Sequence, residues 1–110
     1  MNWYEKQLEQ HRKWSIEQKD FYNQFPYDEV RRAGSEVASF VNGQLSSRHY
    51  DYQDLFGDYG HVTRLYIIQE VLNLKATEEN IENPVDFFES TYELKTRGEP
   101  GPSKELEDCG

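Results

Sequence analysis

The chain has 110 residues, of which 12 are Lys or Arg and 21 are Asp or Glu, for a formal charge of −9. That length holds one domain, and a conventional nucleic-acid binder would carry the opposite sign, because it must neutralise phosphates. The single cysteine, Cys109, excludes an internal disulfide and leaves a zinc site without thiolates. No apolar run approaches the roughly 20 residues of a membrane span, and the opening MNWYEKQLEQ lacks the apolar stretch of a secretory signal. The expectation is an acidic, soluble protein of a reducing, cytoplasmic compartment, with no membrane contact.

Only 35% of the residues are apolar and the mean hydropathy is −0.99. A core is still feasible because the apolar set is bulky: two Trp, eight Tyr and six Phe, each able to remove roughly 150–250 Å² from water. The composition predicts a small core with many tyrosines at its margin.

In chain order, residues 2–24 read as a long polar helix. Trp3, Tyr4, Leu8, His11, Trp14, Phe21 and Phe25 recur at steps of three or four, with a gap near Gln18. Asn2 is placed to cap it, with Glu5 in a capping-box relation, and Pro26 stops it. Residues 27–43 give the clearest helix. Val30, Ala33, Val37, Phe40 and Val41 form its stripe, Asp28 and Glu29 suit its start, and Gly43 suits its C-cap. Residues 44–60 are irregular, with a short helix around residues 50–56 and a turn marked by Gly57 and Gly60. Residues 61–74 are the most apolar. Val62, Leu65, Ile68 and Leu72 are helically spaced, and Tyr66, Ile67, Val71 and Leu74 widen the face, the pattern of a central buried helix. A β-strand over residues 65–68 is the alternative, since Tyr-Ile-Ile is β-prone. Residues 77–97 form the last ordered piece. Thr77 opens it, Asn83-Pro84 breaks or restarts the helix, and Ile81, Val85, Phe88 and Tyr92 form its apolar stripe. The tail after Gly98 reads as disordered. The reading is an all-α domain of four to five helices over residues 2–97, with an acidic tail over 98–110.

The sequence offers little catalytic chemistry. His11, His49 and His61 have no second His or Cys at ligand spacing, and no metal or other cofactor is expected. Asp51, Asp54 and Asp58 cluster, but an EF-hand counted from Asp51 fails: Leu55 stands at a ligand position and Phe56 at the glycine. Ser46, Ser47, His49 and Asp51 contain the letters of a nucleophilic triad without a nucleophile elbow. No glycine loop cradles a phosphate. A non-enzymatic protein is expected.

One pattern stands out. Glu79, Glu82, Asp86, Glu89 and Glu93 are spaced 3, 4, 3, 4, which on a continuous helix puts five carboxylates on one face, roughly 4.5–6 Å apart along the axis. That is near the phosphate spacing of a DNA strand. The net charge distributes unevenly: residues 1–25 carry four bases and four acids, while 26–60, 61–97 and 98–110 each carry three excess acids.

Three short segments occur in the order seen in a known group: Tyr27-Asp28-Glu29-Val30-Arg31, then His49-Tyr50-Asp51-Tyr52-Gln53-Asp54-Leu55-Phe56, then Arg64-Leu65-Tyr66. In these, and in size, charge and helical content, the chain resembles small acidic phage anti-defence proteins of the Ocr type, DNA mimics that block type I restriction enzymes. Those proteins are more acidic and have a longer segment between the second and third words; here Arg31, Arg32 and Arg48 dilute the negative surface. The resemblance implies an inhibitor of a restriction or CRISPR-like enzyme, and a homodimer.

Two functional expectations follow. The first is a phage-type inhibitor whose carboxylates, Glu79, Glu82, Asp86, Glu89 and Glu93 with Asp51, Asp54 and Asp58, occupy the basic cleft of a nucleic-acid-processing protein, without binding nucleic acid directly. The second is a helical adaptor or immunity-type protein that binds its partner through Trp3, Trp14, Tyr50, Tyr52 and Tyr59. A small subunit of a larger assembly is a third.

Overall fold

The computed structural model describes residues 2–90 and is all-α. The elements are α1 (Trp3–Asn23), α2 (Tyr27–Ser47), α3 (Tyr52–Phe56), α4 (His61–Glu78) and α5 (Phe87–Ser90). The tail read as disordered over 98–110, and Glu93 with it, lie outside the described residues.

Helix α4 is the axis of the fold. Val62, Leu65, Ile67, Ile68, Val71, Leu72 and Ala76 are all buried, so helix, and not strand, wins over residues 65–68. Its breadth of apolar surface lets it pack on α1, α2 and α3 at once. Two positions of the expected face point outward instead: Tyr66 and Leu74 are exposed. Gln69 and Lys75 take the interior in their place.

Helix α2 lies antiparallel to α4. The Phe40 ring meets His61 with centroids 4.6 Å apart, Gly34 faces Ile68, and Tyr27 reaches Glu79. The stripe it buries is Tyr27, Val30, Gly34, Ala38, Val41 and Leu45, with Ala33 and Val37 half-buried at its edge and Phe40 exposed. The helix runs through Gly43. A Cβ at Gly43 would meet nothing within 4 Å, so the glycine costs only its propensity, about 1 kcal/mol, and burying Leu45 offsets that. The end comes at Arg48, in the left-handed region at φ 61°, its N–H donating to the Gln44 carbonyl.

Helix α1 runs alongside α4 in the same direction: Trp14 packs on Tyr59, Lys19 pairs with Glu70 at 2.7 Å, and Lys75 Nζ donates to the Asn23 carbonyl at 3.0 Å. Asn2 caps it, its side-chain oxygen accepting from the Glu5 N–H at 2.8 Å. None of its residues is fully buried. The start of α4 is held by the α3 segment. Asp51 caps α3 by accepting from the Asp54 N–H at 3.0 Å, Leu55 is buried in the core, and Gly57 and Gly60 make the expected turn, closed by the Gly60 N–H on the Gly57 carbonyl.

Between Glu79 and Asp86 the chain is not helical, so the break expected at Asn83-Pro84 is wider than those two residues. Thr77 belongs to α4, its hydroxyl donating back to Asn73 O at 3.3 Å, and does not cap a new one. Asn80 and Asn83 stand at φ 52° and 54°, a conformation asparagine tolerates better than most residues; Pro84 further disfavours a helical Asn83. The helix restarts only at Phe87, and its cap is Asp86, whose carboxylate accepts from the Phe88 and Glu89 N–H groups at 3.0 and 3.1 Å. Pro84, a residue type suited to the first position of a restarted helix, stands three residues before the restart at Phe87. No described helix is long and apolar enough to cross a membrane.

Candidate functional site: an acidic strap across the helix pair

Residues 79–90 form a strap that returns along the α2–α4 pair. Its first anchor is electrostatic. Pro26, the N-cap of α2, has no side chain to cap the helix, so the Tyr27 N–H is open. The Glu79 carboxylate fills that role, accepting from Tyr27 N at 3.3 Å, where the helix dipole favours a negative charge.

The second anchor is the buried Gln69 side chain. Its Nε2 donates to the Val85 carbonyl at 2.9 Å and to Asn73 Oδ1 at 3.0 Å, and its Oε1 accepts from the Phe87 N–H at 2.9 Å. The Tyr27 hydroxyl accepts from the Val85 N–H at 2.8 Å. The third anchor is apolar. Phe87 is buried over Gly34, and Phe88 stacks on Tyr66 with centroids 4.2 Å apart and planes 12° from parallel. Loss of water around the Tyr66 hydroxyl raises its pKa above the ordinary 10.0.

The expected carboxylate comb is thereby corrected. Glu79, Glu82, Asp86 and Glu89 do not share one face of a continuous helix. Glu79 caps α4 and reaches α2, Glu82 lies in the turn between the two positive-φ asparagines, Asp86 caps α5, and Glu89 is in α5. They follow one another along the strap, and all four are exposed. Glu82 makes no ion pair among the described residues, and neither do Asp28, Glu29 and Glu78, which share the end of the molecule where Tyr27 meets Glu79.

Asp51, Asp54 and Asp58 belong elsewhere. They border an open depression of about 460 Å³ with Gln53, Gly57 and Tyr59 at the start of α4. An 18-residue helix is about 27 Å long, so this group and Glu79 stand at opposite ends of α4, not in one site. Asp54 Oδ2 lies 3.6 Å from His61 Nε2, and Asp51 is occupied as a cap. Among the described residues no group of three His, Cys, Asp or Glu side chains is placed to hold a metal ion.

The expected aromatic surface also divides. Tyr50 is half-buried against the core and edge-on to Phe56, so it is a packing residue. Trp14 is partly covered, in a cluster with His11 and Tyr59 that is tied down by the 2.8 Å hydrogen bond between His11 Nε2 and the Asp58 carbonyl. Trp3, Tyr52 and Tyr59 remain exposed.

The residues that build the strap were not singled out from the sequence. Gln69 and Gly34 entered no sequence pattern, and Tyr27 only a short segment. One signal was available: a Gln inside a run that is apolar on nearly every side implies a buried polar group with partners.

Compared with known protein families, with curated proteins and with solved structures, the chain matches none.

Proposed function

We propose that this chain is a non-enzymatic acidic inhibitor, of the phage anti-defence kind, that lays its strap in the basic, nucleic-acid-binding cleft of a restriction or CRISPR-like enzyme in the cytoplasm. The observation that carries the reading is the strap itself: Glu82, Asp86 and Glu89 are exposed on a segment fixed to the core by Gln69, Tyr27 and Phe87. Exposed charge held in place loses little conformational freedom on binding and steers an oppositely charged partner. Asp28, Glu29 and Glu78 add exposed charge at the Glu79 end of the strap. The regular phosphate-like interval expected of a helical comb is not part of this reading; the competition rests on charge and position.

The test is displacement of a labelled DNA duplex from a purified type I restriction enzyme and from a CRISPR effector, at about 50 and about 200 mM salt. The triple variant Glu82→Gln, Asp86→Asn, Glu89→Gln keeps an Asn cap on α5 and removes three charges. At roughly 0.5 kcal/mol per exposed charge, it weakens inhibition about tenfold. Inhibition that ignores both salt and the triple variant, or no displacement at all, overturns the proposal.

A second reading, a protein-binding adaptor, draws on the first two turns of α1. Tyr4 and Leu8 share the face of His11 that packs on the body, yet both are exposed together with Trp3. Under that reading Trp3→Ala with Leu8→Ala abolishes partner binding, while the charge variant leaves it intact.

A further inference from the structure

The strap is held as a bound peptide is held. Glu79, Asn80 and Ile81 continue the backbone hydrogen bonding of α4, on the Lys75, Thr77 and Ala76 carbonyls; from Val85 onward the strap is attached to the helices through side chains. The Gln69 carboxamide pairs with the carbonyl of one residue and the N–H of the residue two further on. This is the donor–acceptor pattern that a neighbouring β-strand offers an extended peptide. The Tyr27 hydroxyl takes the remaining N–H of Val85. Between these polar contacts lies a niche for one aromatic ring, floored by Gly34. A methyl group at Gly34 would stand 2.5 Å from Phe87 Cε2 and 3.1 Å from Ile68 Cγ2, so the ring seats only because the helix has no side chain there. Tyr66 supplies a platform for a second ring.

We infer that the α2–α4 seam formed by Tyr27, Gly34, Gln69 and Tyr66 is a receptor groove for a peptide that enters a helical turn at a pair of aromatic residues, and that residues 85–88 of this chain, with Phe87 and Phe88 opening α5, are its resident occupant. The recognition elements are backbone hydrogen bonds at the first and third residues and rings at the third and fourth. A partner that presents Φ-x-aromatic-aromatic, with the two aromatic residues opening a helical turn as Phe87 and Phe88 do, displaces the strap, and with it Glu82, Asp86 and Glu89. The groove stands independently of the proposed inhibitory role, since it is defined by the core face of the strap and not by its charges.

The experiment uses the full chain carrying Phe87→Ala, which empties the niche, and a fluorescein-labelled synthetic peptide of residues 81–89. Anisotropy is expected to show saturable binding to the Phe87→Ala chain, at least tenfold weaker binding when Gln69→Ala is added, and at least tenfold weaker binding of a peptide lacking the first phenylalanine. Wild-type chain, with its own strap at high effective concentration, binds the peptide at least tenfold more weakly than the variant. Equal binding by the Gln69→Ala double variant, or no binding by a Phe87→Ala chain that retains its helical circular dichroism, overturns the inference. Hydrogen exchange on the wild-type chain is the second measurement, needed if the variant does not fold. The amides of Val85 and Phe87 exchange at least tenfold faster than those of Leu65, Ile68 and Leu72 if the strap opens as a separate unit; a common rate overturns it.

Discussion

Helices α1 and α4 run in the same direction, side by side, and have similar lengths, yet they contribute to the fold in opposite ways. Of the 18 residues of α4, nine are buried; of the 21 of α1, none is. Both show apolar residues at helical spacing, so periodicity alone does not separate them. What separates them is the number of neighbours available. α4 is surrounded by α1, α2, α3 and the strap, whereas α1 touches the body along one edge and its first two turns run past the start of α4. Helical spacing of apolar residues goes with a core in the broadly apolar α4 and with a largely wetted face in the more polar α1.

The largest effect is expected at the centre of α4. Leu72→Ala removes a fully buried side chain and costs about 2–5 kcal/mol, measured by urea denaturation. A cost below about 1 kcal/mol would break the picture of α4 as the axis. Next comes Gln69→Leu, which leaves the Val85 carbonyl and the Phe87 N–H without partners. At about 1–3 kcal/mol for an unsatisfied buried group, the loss is expected near 2 kcal/mol, with faster exchange confined to the strap. Trp14→Ala, which removes the ring between His11 and Tyr59, is expected to cost about 1 kcal/mol, seen as fraying of α1 in hydrogen exchange while α4 stays protected. Leu8→Ala, on the overhanging part of α1, is expected to change stability by no more than about 0.5 kcal/mol; a larger loss would mean that this end of α1 is packed after all.

The smallest effect concerns pH. Burial raises the Tyr66 hydroxyl above 10.0 in the folded chain, so the folded state favours the neutral phenol. That contribution is fully present below about pH 10 and is lost as pH rises through the higher folded-state value. Ultraviolet titration should show a tyrosine component ionising above the ordinary 10.0, and Phe88→Ala, which uncovers Tyr66, should lower it.

Much of the fold was legible from residue types. Asn2 and Pro26 bound α1, Gly57 and Gly60 mark the turn before α4, and the apolar breadth of residues 61–74 places α4 inside. The acidic pattern was misleading for a physical reason. A 3, 4, 3, 4 spacing defines a face only if the helix is continuous, and Asn80, Asn83 and Pro84 between those carboxylates end it. The local break at Asn83-Pro84 was visible; its extent, from Glu79 to Asp86, depends on long-range contacts. Gly43 misled in the opposite sense. An exposed glycine is a weak stop, and burial of Leu45 carries α2 past it.

By itself, the sequence determined that this is a small acidic all-α domain, which helices form, and that α4 is the most apolar of them, because capping, proline and periodicity act within a few residues. Tertiary structure decided what those helices do to one another. It turned α1 into a flanking helix, separated Asp51, Asp54 and Asp58 from Glu79, and tied the strap to the core through Tyr27, Gly34 and Gln69. Those outcomes depend on contacts between residues 16 to 58 positions apart, and the cost of closing such loops is recovered only when the whole core assembles.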